Sequence, residues 1–110
     1  MALADELLQA AKEFDPSLGL TYNKYYIGIS KEGQPYNFSV FRPRKQHMIL
    51  DLKLQKSEDV DSKIEAAGLD ALEYNVNWGR YRLRLTPDDV HNKQDTLKEL
   101  MRLAYINRGE

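Results

Sequence analysis

Arg80-Tyr81-Arg82-Leu83-Arg84-Leu85-Thr86-Pro87-Asp88-Asp89 holds a strand and the start of a helix in one run. Tyr81, Leu83 and Leu85 alternate with Arg80, Arg82 and Arg84, a period-two pattern with one apolar face and one guanidinium face. Thr86 then has the chemistry of an N-cap, Pro87 suits the first helical position, and Asp89 completes a box-like pattern three residues after Thr86. Downstream, Leu97, Leu100, Met101, Ala104 and Tyr105 recur at helical spacing, and His91-Asn92-Lys93 is a place for the helix to break into a short turn and a longer piece.

Working back from this run, Tyr74-Asn75-Val76-Asn77-Trp78 reads as a second strand, separated from the arginine strand by Gly79. Residues 58–67 read as a short helix capped by Ser57, with Val60 and Ile64 inward and Gly68 past its end. Met48, Leu50, Leu52 and Leu54 alternate with Ile49, Asp51 and Lys53 as a strand with one wet face. Thr21-Tyr22 and Tyr25-Tyr26-Ile27-Gly28-Ile29-Ser30 favour strand, Lys31-Glu32-Gly33-Gln34 a hairpin turn, and Asn37-Phe38-Ser39-Val40-Phe41-Arg42 the return strand, ended by Pro43. Residues 3–14 carry an amphipathic helical pattern that stops at Asp15-Pro16. The order is a helix, three or four strands, a helix, two strands and a helix. Links of hairpin length give an α+β fold: one mainly antiparallel sheet of about five strands, with three helices largely on one face.

With 110 residues, the chain is expected to be a single domain, 1–110. Apolar residues make up 42% and charged residues 30%, which suits a soluble globular chain rather than a disordered one. No stretch approaches the ~20 apolar residues of a bilayer helix. No basic leader opens the chain and it has no cysteine, so the cytoplasm is the expected compartment. It starts directly in a helix, as a C-terminal fragment of a longer protein would. The lack of cysteine also removes disulfides, thiolate catalysis and cysteine zinc sites.

Enzyme signatures are sparse, and the expectation is a binding module with no cofactor rather than a catalyst. Neither GxxxxGK[ST] nor GxGxxG occurs, and Gly28-Ile29-Ser30-Lys31-Glu32-Gly33 is one residue too long for a nucleophile elbow. His47 and His91 lack ligand spacing. Asp51-Leu52-Lys53 puts an acid and a lysine on one strand face, as in metal-dependent nuclease cores. That alternative needs a further acid, for which only Glu32 and Asp15 lie upstream.

Charge is unevenly spread beneath a formal net of -1. Residues 21–56 hold seven Lys or Arg and two acids, and residues 57–79 hold six acids and Lys63. The expected anion-binding residues are Arg42, Arg44 and Lys45 with Arg80, Arg82 and Arg84, joined by Tyr25 and Trp78 among the interleaved tyrosines Tyr22, Tyr26, Tyr36 and Tyr74. Guanidinium forks bind phosphate and aromatic faces stack on bases. The expected partner is therefore nucleic acid or an acidic protein surface, and not a membrane. The opposing expectation is that the arginines pair with the acids of residues 57–73. A third is a homodimer through an exposed edge at Thr21-Tyr22.

Leu20-Thr21-Tyr22-Asn23-Lys24-Tyr25-Tyr26-Ile27-Gly28, the run from Asn37-Phe38 to Arg42-Pro43-Arg44-Lys45, and the arginine strand through Asp89 together resemble an uncharacterised bacterial C-terminal domain family often labelled "predicted transport protein". The resemblance spans about residues 18–106 and leaves out the N-terminal helix. It implies an accessory module at the end of a larger protein, some of its parents being linked to restriction and phage defence. It supplies no catalytic residues, and its motifs are structural.

Overall fold

A computed structural model describes residues 2–24 and 26–109. Helix α1 (Ala2–Ala11) leads into strands β1 (Leu18–Tyr22), β2 (Ile27–Lys31), β3 (Gln34–Pro35), β4 (Ser39–Pro43) and β5 (Met48–Lys53). Helix α2 (Glu58–Ala66), strands β6 (Asp70–Ala71) and β7 (Arg80–Leu85), and helices α3 (Pro87–Asn92) and α4 (Gln94–Gly109) follow. The sheet runs β1-β2-β4-β5-β7-β6 with β3 paired to β2, and its strand pairs are antiparallel. The architecture is the α+β, mainly antiparallel one that the sequence predicts.

Register explains how the sheet divides its two faces. Phe41 lies opposite Leu50, and Leu50 opposite Leu83, so three fully buried side chains stand abreast on the central strands. Met48, Leu52, Tyr81 and Leu85 share that face and pack with Leu7, Ile64, Val90, Leu97 and Leu100 from the helices. The helices thus cover one side. Val40, Arg42, Ile49, Asp51, Lys53, Arg80, Arg82 and Arg84 alternate onto the other. Strand β1 is a sheet edge with Thr21 and Tyr22 exposed.

Lys93 leaves helical geometry at φ -121° and splits the last helix at the break that His91-Asn92-Lys93 offers, which brings the described residues to four helices. Three other details differ from the sequence reading. Tyr74 to Trp78 is not a strand. It contributes one bridge, Asn75 to Arg80, and then turns, because the Asn75 side chain accepts from the Trp78 amide at 3.1 Å and Gly79 takes φ +64°. The short β6 pairs with β7 in its place, and with β3 the sheet has seven strands rather than about five. Helix α1 stops three residues early. Phe14 beyond it still packs inward, 5.2 Å from Tyr105 and 6.2 Å from Phe38 between ring centres.

Strand β2 meets β4 at a single register pair, Ile27 and Phe41. Past that point Ile29 is satisfied differently. Its carbonyl accepts from the Tyr36 amide, and its amide donates to Asn37 Oδ1, both at 2.8 Å. A side chain therefore stands in for a ladder partner. It fits only because residue 28 is glycine, since a Cβ there would lie 2.6 Å from Asn37 Oδ1.

A polar clamp ties α4 to β2 and to the segment after α1. Asp15 accepts from the Ser17 amide and hydroxyl at 2.9 and 2.6 Å and from the Tyr105 hydroxyl at 2.6 Å. Lys31 lies 3.0 Å from the same carboxylate and 2.9 Å from the Tyr105 oxygen. The Ser17 and Tyr105 hydroxyls, with Lys31, hold the Asp15 carboxyl well below the usual carboxylate range. The bond to Tyr105 and the Asp15 charge hold Lys31 above the usual lysine range, and the Asp15 bond pushes the Tyr105 phenol up.

Two outcomes follow from these contacts. Gly28→Ala displaces Asn37 and strands the Ile29 amide, with an expected loss of about 1–3 kcal/mol in urea unfolding. Asn37→Ala costs a similar amount, and the double variant loses less than the two single losses together. The second concerns pH. A depressed carboxyl stabilises the fold above its unfolded value, near 3.8, and that contribution is lost as pH falls below it. Urea midpoints measured from pH 6 down to pH 2 should therefore fall less steeply for Asp15→Asn than for the parent chain. The raised Lys31 and Tyr105 act with the opposite sign, and their contribution is lost as pH rises above about 10.

Candidate anion-binding site

The sheet face away from the helices has an apolar floor with one carboxylate in it. Val40 and Ile49 are buried there beside Asp51, which is only 4% exposed. Register sets what covers them. Asp51 lies directly opposite Arg82 on one side and Val40 on the other, while Arg42 and Arg80 sit one pair along, on opposite diagonals. Diagonal neighbours in a sheet are within reach of a long side chain. The Arg42 Nε donates to Asp51 Oδ2 at 3.0 Å, the Arg82 Nε is 3.4 Å from Oδ1, and an Arg80 Nη is 3.7 Å from Oδ2. The three arginine side chains are 28%, 35% and 25% exposed, so their stems cover the floor while their heads reach solvent.

Three guanidinium groups on one carboxylate leave a surplus of positive charge. Burying Asp51 alone would cost several kcal/mol, and the arginines offset that cost. The reverse does not hold, because a single anion cannot neutralise three cations. Arg42 and Arg82 use their Nε groups on Asp51, and their Nη groups have no hydrogen-bond partner among the described residues. Those Nη edges are the part of a guanidinium that grips an oxyanion.

Aromatic side chains flank the arginines. The Arg42 guanidinium carbon is 5.6 Å from the centre of the Tyr26 ring, and that of Arg80 is 6.0 Å from Trp78. Trp78 is 68% exposed, on the turn that Asn75 and Gly79 fix. Arg42, Arg44, Asp51, Asn75, Trp78, Arg80 and Arg82 together line a concavity of about 480 Å³.

Of the residues singled out in the sequence, Arg42, Arg44, Arg80, Arg82 and Trp78 meet here. Arg84 shares the face but not the concavity, and its Nε donates to Asp70 at 2.8 Å. Of the acids in residues 57–73, Asp70 takes Arg84, while Asp61 and Asp59 pair with Lys56 and Lys63. Lys45 lies exposed in the turn between β4 and β5, outside the concavity. Tyr25 falls outside the described residues. Tyr36 and Tyr74 are not on this face at all. Tyr36 packs against Phe38 and Tyr105, and Tyr74 meets Tyr81 edge to face, 4.9 Å between ring centres, while donating to the Leu54 carbonyl.

Sequence reasoning missed the structural part Asp51 plays. An acid placed among Leu50, Leu52 and Ile49 was the available signal, because such a position is buried or nearly so. Its guanidinium shell does not suit the nuclease alternative, in which the same oxygens would hold a cation. Asp15, one of the two acids that site would recruit, pairs with Lys31 on the helix-covered face. Among the described residues no three His, Cys, Asp or Glu side chains gather as a metal-binding group. His91 pairs with Glu6 at 2.9 Å.

A groove on the helix side offers a contrast. Glu13, Phe14, Asp95, Lys98, Glu99 and Arg102 line about 370 Å³, but Lys98 pairs with Glu13 at 3.0 Å and Arg102 with Glu99 at 2.9 Å. Both of its cations are paired and Asp95 leaves it one net negative charge, whereas the arginine concavity keeps a positive surplus.

Asp51→Asn keeps one acceptor and removes the charge that gathers the arginines. It is expected to cost about 1–3 kcal/mol in urea unfolding, and Arg84→Ala, at an exposed pair, less than about 1 kcal/mol. Equal losses for the two would show that Asp51 does not organise this face.

No family model, no curated protein and no solved structure matches the chain, and its function is therefore read from these side chains.

Proposed function

We propose that this domain is a non-catalytic binding module that holds nucleic acid at the arginine concavity of its open sheet face, as an accessory part of a larger bacterial cytoplasmic protein. The observation that carries the reading is the convergence of Arg42, Arg80 and Arg82 on the single carboxylate of Asp51, with Arg44 and exposed Trp78 lining the same concavity. Surplus guanidinium charge supplies phosphate contacts, and an exposed indole supplies a stacking surface that tolerates any base. Arginine alone would serve an acidic protein surface equally well. Trp78 in the same concavity favours nucleic acid, because a base offers a flat face to an indole and a carboxylate side chain does not. No helix among the described residues is long and apolar enough to cross a membrane, and the reading requires none.

Binding of single- and double-stranded DNA and RNA over a salt series tests the proposal. The expected result is tighter binding of single strands, with log affinity falling linearly against log salt at a slope of about -2 for three phosphate contacts. Arg42→Ala with Arg82→Ala should weaken binding about tenfold or more and flatten the slope, and Trp78→Ala should weaken it with the slope unchanged. Binding by the double arginine variant equal to that of the parent chain overturns the proposal. So does cleavage that needs Mg²⁺ and disappears in Asp51→Asn, which would establish the nuclease reading.

A further inference from the structure

We infer that the concavity takes a phosphomonoester, the terminal phosphate of a single strand or of a mononucleotide, rather than a phosphate inside a chain. The inference rests on the nucleic-acid reading above and specifies the ligand at the same site.

The first argument is charge. Four guanidinium groups (Arg42, Arg44, Arg80 and Arg82) and one carboxylate (Asp51) line the concavity. They leave three positive charges unmatched. An internal phosphodiester supplies one negative charge. A phosphomonoester supplies about -1.5 to -2 near neutral pH, with three strong acceptor oxygens. The doubly charged group matches the surplus better, and its third oxygen gives the outward Nη edges of Arg42 and Arg82 more to grip.

The second argument is shape. A groove that follows a strand spreads its cations along a track. Here three arginines point at one carboxylate, and the exposed Lys53, opposite Arg80 on the same face, lies outside the concavity. Arg84, next along β7, is taken by Asp70. At the other end the turn bearing Asn75 and Trp78 forms a wall. The result is a socket with a floor and a side. Its volume, about 480 Å³, falls within the range of small-ligand sites. Trp78 stands against Arg80 on that wall, where an indole can stack on the base next to a phosphate held by the arginines. Asp51 acts as a positioning residue: by holding the Nε atoms it turns the Nη edges toward the ligand.

Trp78 is the single tryptophan of the chain, so its fluorescence reports directly on the site. The probes are oligothymidylates of one length carrying a 5′-phosphate, a 3′-phosphate or hydroxyl ends, together with thymidine 5′-monophosphate and inorganic phosphate. An oligomer with a phosphate on one end should bind about tenfold tighter than the hydroxyl form, one or two charge-assisted hydrogen bonds' worth, and quench Trp78. That preference should shrink in Arg44→Ala, whose exposed side chain donates to the neighbouring Pro43 carbonyl and to no other group among the described residues, with a urea midpoint equal to the parent chain's as the check that the variant folds. If thymidine monophosphate binds as tightly as the phosphorylated oligomer, the phosphomonoester assignment holds and its source is a free nucleotide. If it binds while no oligomer does, the assignment holds and the nucleic-acid reading falls. Inorganic phosphate binding as tightly as the monophosphate, without quenching, removes the nucleotide from the assignment and overturns it. Equal affinity for phosphorylated and hydroxyl-ended oligomers overturns it as well and leaves the nucleic-acid reading in place. No binding by any probe overturns both.

Discussion

Asp51 is a carboxylate in the floor of a sheet face that otherwise faces solvent, and its ion pairs set the character of that face. At 4% exposure it cannot be satisfied by water, so it draws Arg42, Arg80 and Arg82 inward. Their stems close over Val40 and Ile49, which would otherwise be an exposed apolar strip on an uncovered sheet. One charge thus does two things. It fixes where three arginine heads sit, and it leaves them with more positive charge than it can cancel.

The polar clamp at Asp15 shows the other outcome of the same physics. There one carboxylate meets one ammonium, two hydroxyls and an amide, and the charges balance. Lys31 is held between the rings of Tyr36 and Tyr105, 5.4 and 5.3 Å from their centres, on the face the helices cover. The cluster joins α4 to β2 and has no capacity left for a ligand. The two sites differ in the ratio of cations to anions more than in burial. That ratio separates a charge-balanced structural contact from a face with surplus positive charge in this fold.

The fold was largely legible in the residues. Alternation in Met48 to Lys53 and in Arg80 to Leu85 identifies two central strands, and their apolar sets face the same core. Thr86, Pro87 and Asp89 mark a helix start that the structure realises as a capping box. Tyr74 to Trp78 was misread because its aromatic and β-branched residues suit a strand, while the geometry follows Asn75 and Gly79. Local hydrogen bonding and a positive φ outweigh strand propensity in so short a segment. The two-residue strands β3 and β6 are too short for a periodic signal.

The sequence by itself determined that Arg80, Arg82 and Arg84 share one strand face and that Asp51 lies opposite the leucines of its own strand, because side-chain direction in a strand follows a two-residue period. Only the tertiary structure decided that Asp51 collects Arg42, Arg80 and Arg82, that Asp70 removes Arg84 from the group, and that Trp78 joins it while Tyr36 and Tyr74 turn to the core. Strand alternation assigns a residue to a face. Which charges become neighbours on that face depends on strand order and register, and those are set by how distant segments pack together.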